Sequence, residues 1–87
     1  MTKILRKYWI TFKNPPTYSP LQIGCGVTAF SSNDAEGILS KHLSNYQLQV
    51  EEIVEDVDVR DLDQDHVIPN MSDCTVRGIW FPAGYPV

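Results

Sequence analysis

Only one stretch of this 87-residue chain joins a helix-start signal to helical apolar spacing, and it lies between runs patterned for strands. Ser31, Ser32 or Asn33 can cap the free amides at its start. Asp34 and Glu36 suit the positive end of the helix dipole, and Asn33…Glu36 has capping-box spacing. Ala35, Ile38, Leu39, His42 and Leu43 then recur on one helical face, with Asn45 as the stop. Gly37 weakens this helix by roughly 1 kcal/mol relative to alanine. A single helix cannot bury a core by itself, so the rest of the chain must supply a sheet for it to cover.

The flanking runs supply one. Residues 4–13 (ILRKYWITFK) carry the aromatic and branched side chains that suit a pleated strand, with Tyr8, Ile10 and Phe12 on the expected core side and Lys7, Trp9 and Thr11 opposite. Three prolines between Asn14 and Pro20 make a loop. A second strand is predicted at about 22–30, with Ile23, Cys25, Val27 and Ala29 inward and Gly24, Gly26, Thr28 and Phe30 outward. Residues 48–59 fit two templates. Val50, Ile53, Val54 and Val57 match helical spacing, but the valine and isoleucine content and the Val57/Asp58/Val59 alternation favour a strand, with a bulge near Glu55. Residues 60–74 read as a long connection with one helical turn at Asp61–Gln64; 75–81 form the last strand and 82–87 an irregular tail. The expected fold is therefore α+β: a four-stranded, mostly antiparallel sheet in the order strand-strand-helix-strand-strand, with one helix packed on one face. Residues 1–87 form a single domain.

Charge is distributed as unevenly as secondary structure. Eight of eleven acidic residues fall between Glu51 and Asp65 with only Arg60 among them, and four of seven cations lie in the first thirteen residues. The net charge of −4 thus conceals a strongly negative sector, which attracts cationic partners and repels nucleic acid and anionic membranes. Arg6, Lys7 and Lys13 beside Tyr8, Trp9 and Phe12 resemble a nucleic-acid surface in miniature. The sequence pI near 4.8 and the missing RRM glycine-aromatic pattern argue against one. No segment matches a secretory signal or a membrane span, and a cytoplasmic location is expected.

No motif assigns a catalytic residue, a cofactor or a metal. An EF-hand starting at Asp56 would put Arg60 and Val67 at ligand positions; one starting at Asp61 would put His66 at the turn glycine and Ser72 at the final glutamate. Both registers fail. A looser divalent site on Asp61, Asp63 or Asp65 near His66 is an alternative. Cys25 with His42 or His66 has the residue types of a nucleophile and base, yet alternation turns Cys25 inward. Cys25 and Cys74 form no CxxC pair and read as reduced apolar fillers.

With a helix on one face only, the other face is expected to be open and to carry Trp9, Phe30 and Trp80 beside Gly24 and Gly26. Two readings compete there. Trp9 can simply lie across the glycine slot and cover it, or slot and indoles can anchor a partner with acids at the rim. In the second reading the partner-binding residues are Trp9, Phe30, Trp80, Glu51, Glu52, Asp56, Asp58, Asp61, Asp63 and Asp65. The acids also suit a sheet edge guarded against unwanted strand pairing.

The segments GCGVTAFSSNDAEGIL, VEDVDVRDLDQDHVIPNM and RGIWFP resemble a group of small uncharacterised bacterial proteins sharing GCGVTA, DVDV, LD, HV, PNM and RGIW in this order. The resemblance implies a bacterial origin and a stand-alone domain, and it brings no function. It singles out His66, Pro69, Asn70, Met71, Arg77, Gly78 and Trp80. Among these, Asn70 is expected to fix a turn and Arg77 to reach back to the aspartates as a counterion. The leading functional expectation is a small acidic module that binds a basic protein, in concrete form an immunity or antitoxin-type inhibitor of a basic toxin or nuclease. The alternatives are a small enzyme or metal-binding domain using Asp61–His66, and a homo-oligomeric structural module.

Overall fold

The computed structural model describes residues 4–14, 20–43, 49–62 and 64–83. They form strands β1 (Arg6–Phe12), β2 (Cys25–Ala29), β3 (Val50–Glu55) and β4 (Gly78–Phe81) and one helix, α1 (Ser32–Leu43). The four strands make a single sheet in the order β3-β1-β2-β4, and every neighbouring pair is antiparallel. This is the α+β arrangement expected from the sequence. Asn45 and most of the 82–87 tail lie outside the described residues.

Alternation in β1 works as the side-chain pattern demands. Tyr8, Ile10 and Phe12 are buried and join Cys25, Val27, Ala29 and Ile79 in the core under α1. The helix contributes Ala35, Ile38, Leu39 and Leu43 to that core, while His42 is only half-buried. Its cap is Ser31, whose Oγ accepts the Asp34 amide at 3.1 Å; Asp34 Oδ2 in turn accepts the Phe30 amide at 3.0 Å. The cap therefore sits two residues before the expected Asn33, and Asp34 reaches back past it to Phe30 instead of closing a capping box with Ser31.

Strand ends differ from expectation for identifiable reasons. Gly24 has φ +142°, a conformation that breaks the pleat just before β2, so Ile23 is 38% exposed instead of facing the core. The β3 bulge falls at Glu51, not near Glu55, because Thr11 pairs with Glu52 and Phe12 with Val50. Asp56 then takes φ +57°, a left-handed conformation that aspartate tolerates, and β3 ends there; Val57 and Val59 leave the strand. Residues 59–61 form a short 3-10 turn on the aspartate cap of Asp58, one turn earlier than expected, and Ile68–Asn70 form another.

The largest correction concerns the second face of the sheet. It is not open. The connection between β3 and β4 folds across it, burying Val67 and packing Val57, Val59, Leu62, Met71 and Cys74 against Trp9, Trp80 and Phe81. A bulge opposite Gly26 and Val27 makes Trp80 the extra residue of β4, which turns Trp80 and Phe81 to this same face. The sheet is thus a middle layer between a helix and a loop. A long apolar-studded connection served as well as a second helix would, because the face needs only burial, not regular structure.

Candidate functional site

The acidic sector begins on an edge strand. β3 pairs with β1 on one side, and no described strand pairs with its other side. Glu51 and Glu52 are both exposed because the bulge at Glu51 interrupts their alternation, and Glu55 follows at the strand's end. Beyond the turn at Asp56, the exposed carboxylates of Asp58, Asp61 and Asp65 continue along the connection; Asp63 lies outside the described residues. Val54, 40% exposed, provides an apolar contact among them.

Internal cations temper part of this charge. Arg6, at the start of β1 beside the end of β3, donates from Nη1 to Glu55 Oε1 at 3.1 Å and to Asp56 Oδ2 at 2.7 Å. Arg60 donates from its backbone amide, Nε and Nη2 to the Asp58 carboxylate. Those bonds hold the Asp58 carboxyl down to about 2, with the Arg60 side chain the main cause, and they raise the Arg60 guanidinium in turn. Both pairs are exposed and open to salt screening, so they fix geometry more than they add stability. Glu55 was not singled out from sequence, because its pairing with Arg6 depends on β3 lying beside β1.

The aromatic anchor does not survive as an exposed surface. Trp80 is 1% exposed, and Trp9 is half-buried, with ring centroids 6.0 Å from Trp80 and 5.6 Å from Phe81. Each indole lies over a glycine: Trp9 Cζ2 would stand 2.7 Å from a Cβ at Gly24, and Trp80 Cζ3 would stand 2.5 Å from one at Gly26. Of the two readings of the slot, the covering one is what the packing realises, with the connection sealing Trp80 from outside. Phe30 stands apart at the β2–α1 junction, 39% exposed, with the Arg77 guanidinium 5.7 Å from its ring centre. The structure therefore exposes the described acids of β3 and the connection, buries Trp80 and leaves Phe30 at the β2–α1 junction.

Arg77 also departs from expectation. It bonds not to the acidic block but to Asp34 of α1, through Nε to Oδ2 at 3.0 Å and through Nη2 to Oδ1. Asn70 does fix a turn: its Nδ2 donates to the His66 carbonyl at 2.8 Å, and its amide donates to the Val67 carbonyl. The same segment guards the β4 edge, with the Ser72 amide on the Trp80 carbonyl and the Ala83 amide on the Asn70 carbonyl. That leaves β3 as the edge without a described neighbour.

Nucleophilic chemistry at Cys25 has no geometric support. The thiol is fully buried, and burial pushes its pKa up to about 12, the reverse of activation. Among the described residues no three His, Cys, Asp or Glu side chains are grouped to hold a metal ion, and no helix is long and apolar enough to cross a membrane. Comparison with known proteins finds no family, no curated protein and no solved structure that matches the chain.

Proposed function

We propose that this chain is a small cytoplasmic protein-binding module that docks a basic protein along the free edge of β3 and the connection that follows it. The observation that carries the reading is the run in sequence of exposed carboxylates at Glu51, Glu52, Glu55, Asp56, Asp58, Asp61 and Asp65, beginning on the one strand edge without a described partner. Crowded carboxylates raise encounter rates with a cationic surface and repel nucleic acid, so the partner is a basic protein. The concrete version is an immunity or antitoxin-type inhibitor whose acids imitate phosphates and occlude the cationic cleft of a toxin or nuclease. Anchoring passes from the tryptophans to the edge itself, where Val54 and the strand backbone offer contact among the charges.

The test is capture from a bacterial lysate at low and at high salt, using the natural protein and two charge-reversed variants. Glu51→Lys with Glu52→Lys is expected to lose a basic partner that the natural protein holds at low salt. Glu36→Lys, exposed on α1, is expected to keep it. Equal capture by the edge variant, or no basic protein captured, sinks the reading. A sedimentation result showing stable dimers would favour self-pairing of the edge instead.

A further inference from the structure

We propose that the groove between α1 and the start of β4 is a binding site for the oxyanion group of a small ligand, a phosphate or a carboxylate. The groove encloses about 220 Å³. Residues 34, 37, 38, 41 and 42 line it from α1, at spacings that place them on adjacent turns of one helical face. Arg77 and Gly78 close it from the sheet side. It belongs to the β4 side of the sheet, the opposite end of the strand order from the acidic edge, and does not depend on the docking reading.

Three features point to an anion. First, the chain is acidic overall, yet Arg77 and Lys41 outnumber Asp34 here. Second, Arg77 is pre-positioned. Asp34 holds Nε and Nη2 while the Phe30 ring lies against the guanidinium, so Nη1 carries two further N–H donors on a group already fixed in place. Third, Gly37 lines the groove in mid-helix, where glycine is disfavoured, and a Cβ there would meet no described atom within 4 Å. Nothing in the described packing asks for glycine at this position. Its effect is to lower the floor of the groove, so that a ligand can approach the helix backbone beside Arg77 and Lys41. The volume suits a phosphate monoester head or a carboxylate and is small for a drug-sized ligand.

Amide NMR titration at constant ionic strength tests this, with inorganic phosphate and sodium acetate as separate probes against chloride. Saturable shifts centred on Gly37, Lys41 and Gly78 are expected. Lys41→Glu changes an exposed residue and is expected to weaken them at least about tenfold. Gly37→Leu fills the groove with a better helix former; it is expected to stay folded, melt at a higher temperature and lose the shifts. Response to phosphate alone assigns a phosphate ester, to acetate alone a carboxylate, and to both an unselective oxyanion site. No saturable response to either probe, the same response to chloride, or shifts that Lys41→Glu and Gly37→Leu leave unchanged would overturn the proposal.

Discussion

Trp80 occupies the space that a side chain on Gly26 would need. A Cβ on Gly26 would lie 2.5 Å from Cζ3 and 2.6 Å from Cε3 of the indole, inside van der Waals contact. Both residues are buried, and the ring is rigid and capped by the connection, so neither has room to retreat. Gly26→Ala is expected to destabilise the fold by about 2–3 kcal/mol, at the upper end of overpacking costs. In urea unfolding, the double variant Gly26→Ala with Trp80→Leu should lose less than the sum of the two single variants. Strict additivity of the two would show that the residues do not compete for the same space.

The Trp80 indole N–H is buried and finds no hydrogen-bond acceptor among the described residues. An unsatisfied donor costs about 1–3 kcal/mol, so removing it offsets much of what a smaller ring forfeits. Trp80→Phe is expected to cost under about 1 kcal/mol, whereas Trp80→Ala should cost about 3–5 kcal/mol by emptying the second core. Comparable losses from both would mean that the N–H is satisfied in solution.

Ser31 and Asn33 compete as helix caps in the sequence, and the structure chooses Ser31. Ser31→Ala is expected to cost about 1 kcal/mol, and Asn33→Ala to stay within about 0.5 kcal/mol of the natural protein. Thermal melts of the two side by side decide it.

Cys25 should resist alkylation at pH 8.5 until the protein unfolds, while half-buried Cys74 reacts first; mass spectrometry of the modified peptides reads this directly. The sign of the pH effect follows from the raised thiol pKa. The unfolded thiol ionises near its ordinary value of 9.0 while the folded one keeps its proton to about 12, so stability falls as pH rises through that window. Cys25→Ala should flatten this part of the curve.

Asp58 gives the opposite slope. Its folded pKa of about 2 lies below the ordinary 3.8, so its contribution is present above the ordinary value and is lost as pH falls towards 2. Carbon NMR of the carboxyl should follow this titration, and Arg60→Gln should return it towards the ordinary range. An unchanged titration in that variant would show that Arg60 does not hold the carboxylate in solution.

Sequence patterns located the four described strands and the helix but fewer of their boundaries. The alternation of Tyr8, Ile10 and Phe12 and the spacing of Ala35, Ile38, Leu39 and Leu43 mark core faces because each side chain's direction follows from its own backbone period. Ile23 and the position of the β3 bulge, expected near Glu55, were misjudged because a glycine at positive φ and a bulge each shift that period by one residue, and pairing partners decide where this happens. The acidic sector was legible as charge. Its start on an unpaired edge depends on strand order, which no local pattern records. The groove at Arg77 was hidden for the same reason, since Asp34 and Arg77 stand 43 residues apart.

What the chain determined unaided was its division into strands and one capped helix, and the crowding of carboxylates between residues 51 and 65. Periodicity and charge are properties of neighbours in sequence. Only the tertiary structure decided that the irregular connection would cross the sheet and bury Trp80, because hydrophobic burial has no fixed direction or period and is settled by whatever apolar surface the folded chain brings alongside.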